Sequence, residues 1–299
     1  MDLRHLRYFL AVADEMHFGR AAARLGISQP PLSQQIRALE EELGVRLFDR
    51  TSRRVRLTRA GESFLPQARQ TLEQAERAVQ AARRAQLGEI GHLVLGMTAS
   101  VPFVPKVSSA LYRFRETHPG VELTLQEMAR DEQLAAVEKG LIDTAIVRGF
   151  ECPALAPDLT ATCLIEERMV LAVRENHPLA TREASPTIAD LRGEPLVLYA
   201  AAAGAGFNEH LFNLCRMAGF QPQVVHEASG LATLLGLVSA GFGSTILAES
   251  LARLHVDDLV YRLLLDPIIT RLWLIHKGSP SPCAQSFLAI MQDSARIDF

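Results

Sequence analysis

Residues 17–43, HFGRAAARLGISQPPLSQQIRALEEEL, decide how the first third of this chain is built. Read at helical period, the stretch gives two short helices joined by a tight corner. The first covers about 18–25 and turns Ala21, Ala22 and Leu25 inward, where small side chains let a second helix come close. Gly26 supplies the positive φ of a sharp corner, and Ile27 packs the elbow. Ser28 stands at the N-cap, with Pro30 and Pro31 in the first turn, where a missing N–H costs nothing. Leu32, Ile36, Leu39 and Leu43 then recur at i, i+4, i+7 and i+11 as one apolar stripe. The opposite face carries Gln29, Ser33, Gln34 and Arg37.

Gln and Arg can pair bidentately with base edges, and Ser can donate or accept towards base or phosphate. A helix-turn-helix lays its second helix in the major groove with its N-terminal residues forward. An ordinary amphipathic helix pair also has polar residues outside, so this face alone leaves the two readings level. The flanking segments separate them. A preceding helix over 3–16 carries Leu3, Leu6, Phe9, Leu10 and Ala13 on one side and covers the back of the pair. After Gly44, VRLFDRTSRRVRLT holds two β-like runs, 46–48 and 55–57, around an Arg-rich turn. That is a hairpin wing, with Arg50, Arg53, Arg54 and Arg56 placed to reach phosphates or a minor groove.

Thr58 caps the next element, a helix over about 59–87. Its Leu65, Ala68, Leu72, Ala75, Val79 and Ala82 alternate by three and four, the rhythm of a coiled coil. A helix of ~28 residues is a rod of roughly 40 Å with no core of its own. Its stripe therefore needs a partner. The expected one is the same helix of a second chain, met through Leu65, Leu72 and Val79; the alternative is the chain's own body.

Charge separates this head from the rest. Residues 1–88 hold fifteen Arg, no Lys and ten acidic residues, a balance of +5; the remainder holds sixteen basic and twenty-four acidic residues, a balance of −8. An Arg-only basic head on an acidic body suits a polyanion-binding head. The 299 residues are enough for two or three domains, with no export signal and no apolar run long enough to span a bilayer, so a cytoplasmic protein is expected. Cys152, Cys163, Cys215 and Cys283 are far apart and lack metal spacing, so they are expected to be reduced and mostly buried thiols, and no metal or cofactor is expected.

The string FLAVADEMHFGRAAARLGISQPPLSQQIRALEEELGVRLFDRTSRRVRLTRAG closely resembles the winged helix-turn-helix of the LysR-type transcriptional regulators. Ala-Ala-x-x-Leu, Ser-Gln-Pro-x-Leu-Ser-x-Gln-Ile, Leu-Glu-x-x-Leu-Gly-x-x-Leu-Phe-x-Arg and Leu-Thr-x-Ala-Gly occur in order. The family often has Arg where this chain has Gln34. The resemblance implies DNA binding through Ser28, Gln29, Pro30, Pro31, Ser33, Gln34, Gln35, Arg37, Arg50, Arg53 and Arg54. It also implies a dimer or tetramer on an interrupted inverted repeat, with RNA polymerase as a further partner. The family most often activates a divergent operon and represses itself.

GEIGHLVLGM marks a boundary, because helical period gives way there to alternation. Beyond it come strand 92–97, helix 105–117, strand 121–127, helix 131–139 and strand 144–147. A second set follows: strands 169–173 and 196–199, helix 208–217, strand 223–227, helix 231–240 and strand 244–247. Strand 271–276 and helix 283–293 close the chain. Strands alternating with helices imply βαβ units and parallel sheets. The expected plan is therefore an all-α winged head (1–58), a linker helix (59–88) and an α/β effector domain (89–299). By resemblance, that last domain has two lobes like a periplasmic binding protein, about 90–162 with 268–299, and about 163–267.

Ligands of open α/β sheets sit beyond the C-terminal strand ends, often over helix N-termini. Here that selects Thr98 and Ser100, then Arg130, then Arg148, and across the cleft Gly206 and Phe207, with Phe207 and Ile269 covering an apolar body. Hydroxyls and two arginines suit a small organic carboxylate, aromatic or derived from ring cleavage. The benzoate- and muconate-responsive members place effector contacts at loops corresponding to Ser100, Arg130, Gly206 and Phe207. Ser100 also reads as a plain helix cap, and the arginines as surface ion pairs. No G-x-S-x-G, H-E-x-x-H or G-x-x-x-x-G-K occurs, so an enzyme is not expected.

Overall fold

A computed structural model describes residues 1–50, 54–200 and 206–293. The chain divides into two compact units, Met1–Arg84 and Ala85–Phe299.

In the first unit, α1 (Leu3–Glu15), α2 (Phe18–Leu25) and α3 (Gln29–Leu43) precede the hairpin β1 (Phe48–Arg50) and β2 (Val55–Leu57), and α4 (Arg59–Gln86) follows. Each helix start has its own chemistry. The Asp2 carboxylate accepts from His5 N–H at 2.9 Å, while the His5 ring accepts from Asp2 N–H. His17 caps α2, its Nδ1 accepting from Gly19 and Arg20 N–H at 3.0 and 3.2 Å. Ser28 occupies the α3 N-cap but makes no capping bond with its hydroxyl. A capping oxygen accepts from the second or third N–H of a helix, and here those positions are Pro30 and Pro31, which have none. Prolines that fit the first turn thus leave the exposed Ser28 hydroxyl unused by the helix.

Leu32, Ile36 and Leu39 are fully buried against Phe9 and Phe48, whose rings lie 5.3 Å apart. The wing begins later than its β-like run suggested, at Phe48 rather than Arg46. The Glu40 carboxylate holds the N–H groups of Leu47 and Phe48, at 2.9 and 3.1 Å, as a link between helix and strand. Thr58 does cap α4, accepting from Gly61 N–H at 3.0 Å. A Cβ on Gly61 would lie 2.1 Å from the Leu47 carbonyl oxygen, so only glycine permits this approach. The α4 stripe divides along its length. Leu65, Ala68 and Leu72 pack on the core of this same unit, whereas Val79 is 51% exposed. Leu65 and Leu72, expected to face a second chain, serve their own unit, because the N-terminal half of α4 closes its core.

The second unit holds β3 (Ile90–Met97), α5 (Pro105–Thr117), β4 (Gly120–Glu127), α6 (Arg130–Lys139), β5 (Thr144–Gly149), β6 (Leu159–Arg174), α7 (Pro178–Thr181), β7 (Pro195–Tyr199), α8 (Phe207–Met217), β8 (Gln223–Ala228), α9 (Leu231–Ser239), β9 (Thr245–Ala248), β10 (Leu259–Leu263), β11 (Ile269–Lys277) and α10 (Pro282–Asp293). It has two lobes. In one, β3 pairs in parallel with β4 and β5, while β11 runs antiparallel between β5 and β6. Phe114 of α5 and Phe287 of α10 meet edge to face, with ring centroids 5.5 Å apart, on one side of that sheet, and α6 covers the other. In the second lobe β6 pairs with β9 and β10, and β7 with β8. Helices α7 and α8 lie on one side and α9 on the other.

β6 is the crossing strand. Leu159–Arg168 face β11 in the first lobe, and from Met169 onward the partners are β9 and β10 in the second. The large sheet is therefore mixed rather than purely parallel, since the strands that carry the chain out and back run against their neighbours, while β7 and β8 pair in parallel. Of the cysteines, Cys215 and Cys283 are buried but Cys152 and Cys163 are exposed, and all four are free.

Candidate functional site

Two surfaces hold the predicted residues. On the first unit, Gln29, Pro30, Pro31, Gln34 and Arg37 are exposed along α3, and Ser33 and Gln35 are half-buried on its flanks. Arg54 and Arg56 are exposed on the wing, and Arg53 lies outside the described residues. Arg50 behaves differently. Its Nη2 donates to Glu40 Oε2 at 2.6 Å, and its guanidinium lies 4.8 Å from the centre of the Phe18 ring. Burial pulls its pKa below the ordinary arginine value, Glu40 opposes this, and the nearby Arg37 and Arg46 reinforce it. The residue read as a phosphate ligand is thus engaged by its own unit, though its side chain stays 28% exposed. Glu40, which holds it, was missed, although it stands with Arg50 in the Leu-Glu-x-x-Leu-Gly-x-x-Leu-Phe-x-Arg string.

The second surface is a cleft of about 350 Å³ between the lobes. From the first lobe come Thr98 and Ser100 after β3, Met128 and Arg130 after β4, and Arg148 to Phe150 at the end of β5. The second lobe adds Tyr199, Phe207, Gly230 and the β9 residues Ile246 to Ala248. Strand ends of both sheets thus converge there, as parallel βαβ units require. A short 3₁₀ turn, Val101–Phe103, follows Ser100, and α5 starts only at Pro105. The Ser100 hydroxyl makes no capping bond and lies 3.4 Å from that of Thr98.

Arg148 and Glu167 form an ion pair whose side chains are only 15% and 13% exposed. That pair uses Nη1 alone, while Nε and Nη2 are buried with no hydrogen-bond partner. Leaving charged donors buried and unpaired is costly, so this is where an acceptor would be most welcome. Arg130 is half-buried at the start of α6, its Nε on Asp131 at 2.9 Å. Gly206 has φ +76°, which favours glycine, and a Cβ there would lie 2.6 Å from Arg130 Nη1, so a side chain would have to push the guanidinium aside. Glu127 and Glu132 also border the cleft, and Glu132 is turned to the N–H of Ala129.

The apolar side is aromatic. Phe150 of the first lobe lies 5.7 Å from Phe207 and stacks on His210 at 3.8 Å, and Tyr199 meets Phe207 edge to face at 6.5 Å. Burial pushes the Tyr199 phenol up to about 12, against a lowering by Arg148, so it stays protonated and able to donate. Ile269 is not part of the lining. Neighbours on a strand face opposite ways, and Thr270 is the one that lines the cleft. Phe150 and Tyr199 were missed, although Phe150 follows Arg148 by two residues at a strand end already selected. Among the described residues there is no cluster of three metal-ligating side chains, and no helix is long and apolar enough to cross a membrane.

The comparisons agree with this plan. Residues 3–62 match the model of the bacterial regulatory helix-turn-helix proteins of the lysR family, and residues 86–296 match the LysR substrate binding domain. The chain is similar to the uncharacterized HTH-type transcriptional regulator YnfL of Escherichia coli (strain K12), 40% identical over 96% of both chains. It is also similar to the HTH-type transcriptional regulator AlsR of Bacillus subtilis (strain 168), 40% identical over 97% of this chain and 95% of that one. Among solved structures, full-length CbnR complexed with its target DNA matches with a TM-score of 0.84 at 29% identity, over 99% of this chain and 100% of the other. These relatives are transcriptional regulators, which are not enzymes, and no enzymatic family is indicated. The chain belongs to the LysR family of DNA-binding transcriptional regulators, with a helix-turn-helix unit followed by a two-lobed substrate-binding domain.

Proposed function

We propose that this regulator is a cytoplasmic transcriptional activator whose inducer is a small organic carboxylate, aromatic or derived from an aromatic ring, bound between the two lobes. Arg148 carries the reading: a cation at the cleft with two buried nitrogens still lacking acceptors. A carboxylate oxygen would satisfy them, with Arg130, the hydroxyls of Thr98 and Ser100 and the Tyr199 phenol as further donors. Phe150 and Phe207 would lie along the ring. A neutral amide offers the same shape without the charge.

On the DNA side, two heads would read the half-sites of an interrupted inverted repeat, with Ser28, Gln29, Ser33, Gln34 and Arg37 towards the groove. The exposed C-terminal half of α4, around Val79, would meet its copy in a dimer, and two dimers would form the tetramer that engages RNA polymerase. An inducer favouring one lobe arrangement would shift the population and alter the spacing of the heads. The test is a thermal-shift screen of the full chain against aromatic and aliphatic carboxylates beside their amides. A ligand at ~100 times its dissociation constant adds about 2.7 kcal/mol. Stabilisation by acids and not by amides supports the reading. Equal response to both, or none to any acid, removes it and leaves the family assignment standing.

A further inference from the structure

We infer that Glu40 is a positioning residue for DNA binding, the anchor that fixes the wing against the recognition helix. It lies in the last turns of α3, three residues after Arg37, with its side chain only 11% exposed. Both of its oxygens are in use. Oε1 accepts from the N–H groups of Leu47 and Phe48, at 2.9 and 3.1 Å, where the chain enters β1. Oε2 accepts from Arg50 at the far end of that strand, at 2.6 Å. Arg50 in turn covers the ring of Phe18 at the start of α2, and Phe18 lies 6.0 Å from Phe48, edge to face. One carboxylate therefore ties the end of α3, both ends of β1 and the start of α2 together.

Three-residue strands make a weak hairpin by themselves, since β1 and β2 pair only at Phe48–Leu57, Asp49–Arg56 and Arg50–Val55. The direction of the wing is thus set by its anchor more than by its own ladder. Arg54 and Arg56 are carried on this hairpin, so their reach towards phosphate depends on Glu40, which touches no DNA itself. Arg50 becomes part of the anchor rather than a phosphate ligand.

The inference rests on the reading that the wing touches DNA, and the test separates the two. Affinity of the full chain for a mixed-sequence duplex is measured against salt for wild type, Arg56→Ala, Glu40→Gln, Arg50→Met and the double variant Glu40→Gln/Arg50→Met. Each phosphate contact contributes about 0.9 to the slope of log K against log salt, so Arg56→Ala is expected to lower it by about that much. Glu40→Gln keeps an acceptor for the two N–H groups but loses the ion pair. It is expected to weaken binding about three- to tenfold and to lower the slope by about 1 to 2. Arg50→Met is expected to match it, and the double variant to lose nothing more, because both remove one anchor.

An unchanged slope in Arg56→Ala removes the wing from the interface and the parent reading with it. A lowered slope there, beside a Glu40→Gln variant that binds as wild type or tighter, overturns this inference alone. Additive losses in the double variant make Arg50 an independent phosphate ligand and also overturn it, as does a lower melting temperature with affinity and slope intact. Should Glu40→Gln fail to fold, hydrogen exchange of the hairpin amides in Arg50→Met decides: faster exchange supports the anchor, and wild-type exchange refutes it.

Discussion

The exposed polar row of α3 and the cleft between the lobes use polar residues in opposite ways. Along α3, Gln29, Gln34 and Arg37 stand exposed over a stripe of Leu32, Ile36 and Leu39 that is wholly buried. Folding is done by the buried face, so the exposed face proposed to read DNA can change with little effect on stability. At the cleft, Arg148 is paired with Glu167 behind it, each more than four-fifths buried, so the residue proposed to hold the ligand is also part of the packing. The difference teaches where a substitution will act. Exposed readers lose binding alone, and buried anchors lose fold and binding together.

The largest effect expected from this contrast is at Arg148. Arg148→Met leaves Glu167 buried without its cation, and breaking such a pair costs about 3–5 kcal/mol. Thermal denaturation of the full chain should show the loss in the substrate-binding unit, and any carboxylate that stabilises the wild type should no longer do so. Arg37→Met on α3 should keep stability within about 0.5 kcal/mol of wild type while weakening DNA binding. Similar melting losses in both variants would break the comparison.

Next come two glycines with the same backbone and different surroundings. Gly26 has φ +67° and Gly206 φ +76°, so alanine at either forces a side chain into the left-handed region, at about 1 kcal/mol. An added Cβ meets nothing within 4 Å at Gly26, but at Gly206 it meets Arg130 Nη1 at 2.6 Å. The end of a long side chain can move aside, so denaturant midpoints should fall by similar amounts in the two variants. Only Gly206→Ala should also weaken carboxylate binding, by displacing Arg130. Unchanged ligand affinity in Gly206→Ala would take Arg130 out of the site.

The same contrast explains what could be read from the sequence. The head was legible because its elements are local: apolar period, Gly26 at the corner and Thr58 at a helix start each depend on near neighbours. What escaped was set at a distance. Ser28 fails as a side-chain cap because of Pro30 and Pro31, and Arg50 turns inward because Glu40 and Phe18 lie beside it in space. In the second unit, Met169 to Val173 read as a strand because all five are buried. The preceding Leu159–Arg168 half of β6 did not, because it is largely half-exposed and carries Glu166, Glu167 and Arg168. β10 is half-buried throughout and gave no alternation. In the cleft, strand-end logic found Thr98, Ser100, Arg130, Arg148 and Phe207, but Thr270 in place of Ile269 depends on the facing of β11, which its sequence alone did not fix.

A smaller effect, confined to binding, is expected at Ser33. It is half-buried near the start of α3, beside the exposed Gln34. Removing one hydroxyl hydrogen bond costs about 0.5–1.5 kcal/mol. Ser33→Ala should show that loss on a duplex carrying the recognised inverted repeat and almost none on random duplex, by anisotropy titration at fixed salt. Equal losses on both would mean that Ser33 meets phosphate and that this face positions rather than reads.

The smallest effect is a pH dependence, and it tests whether the aromatic contact between the lobes belongs with the buried anchors. Burial lowers the pKa of His210, stacked on Phe150, below its ordinary 6.5, against an opposing pull from Glu151. The folded state then binds fewer protons than the unfolded one between the two pKa values, so stability rises with pH across that window. The contribution is complete above about pH 6.5 and is lost as pH falls from there through the folded value. Solvent screening of a partly exposed ring holds it below about 1 kcal/mol. His210→Phe keeps a stacking ring that does not titrate. The melting temperature of the wild type should therefore fall relative to the variant between about pH 7.5 and about pH 5.5, which also cancels the acid sensitivity of the carboxylates common to both. A gap that stays constant with pH would place the His210 ring in solvent in both states, and the aromatic contact between the lobes would then rest on Phe150 and Phe207.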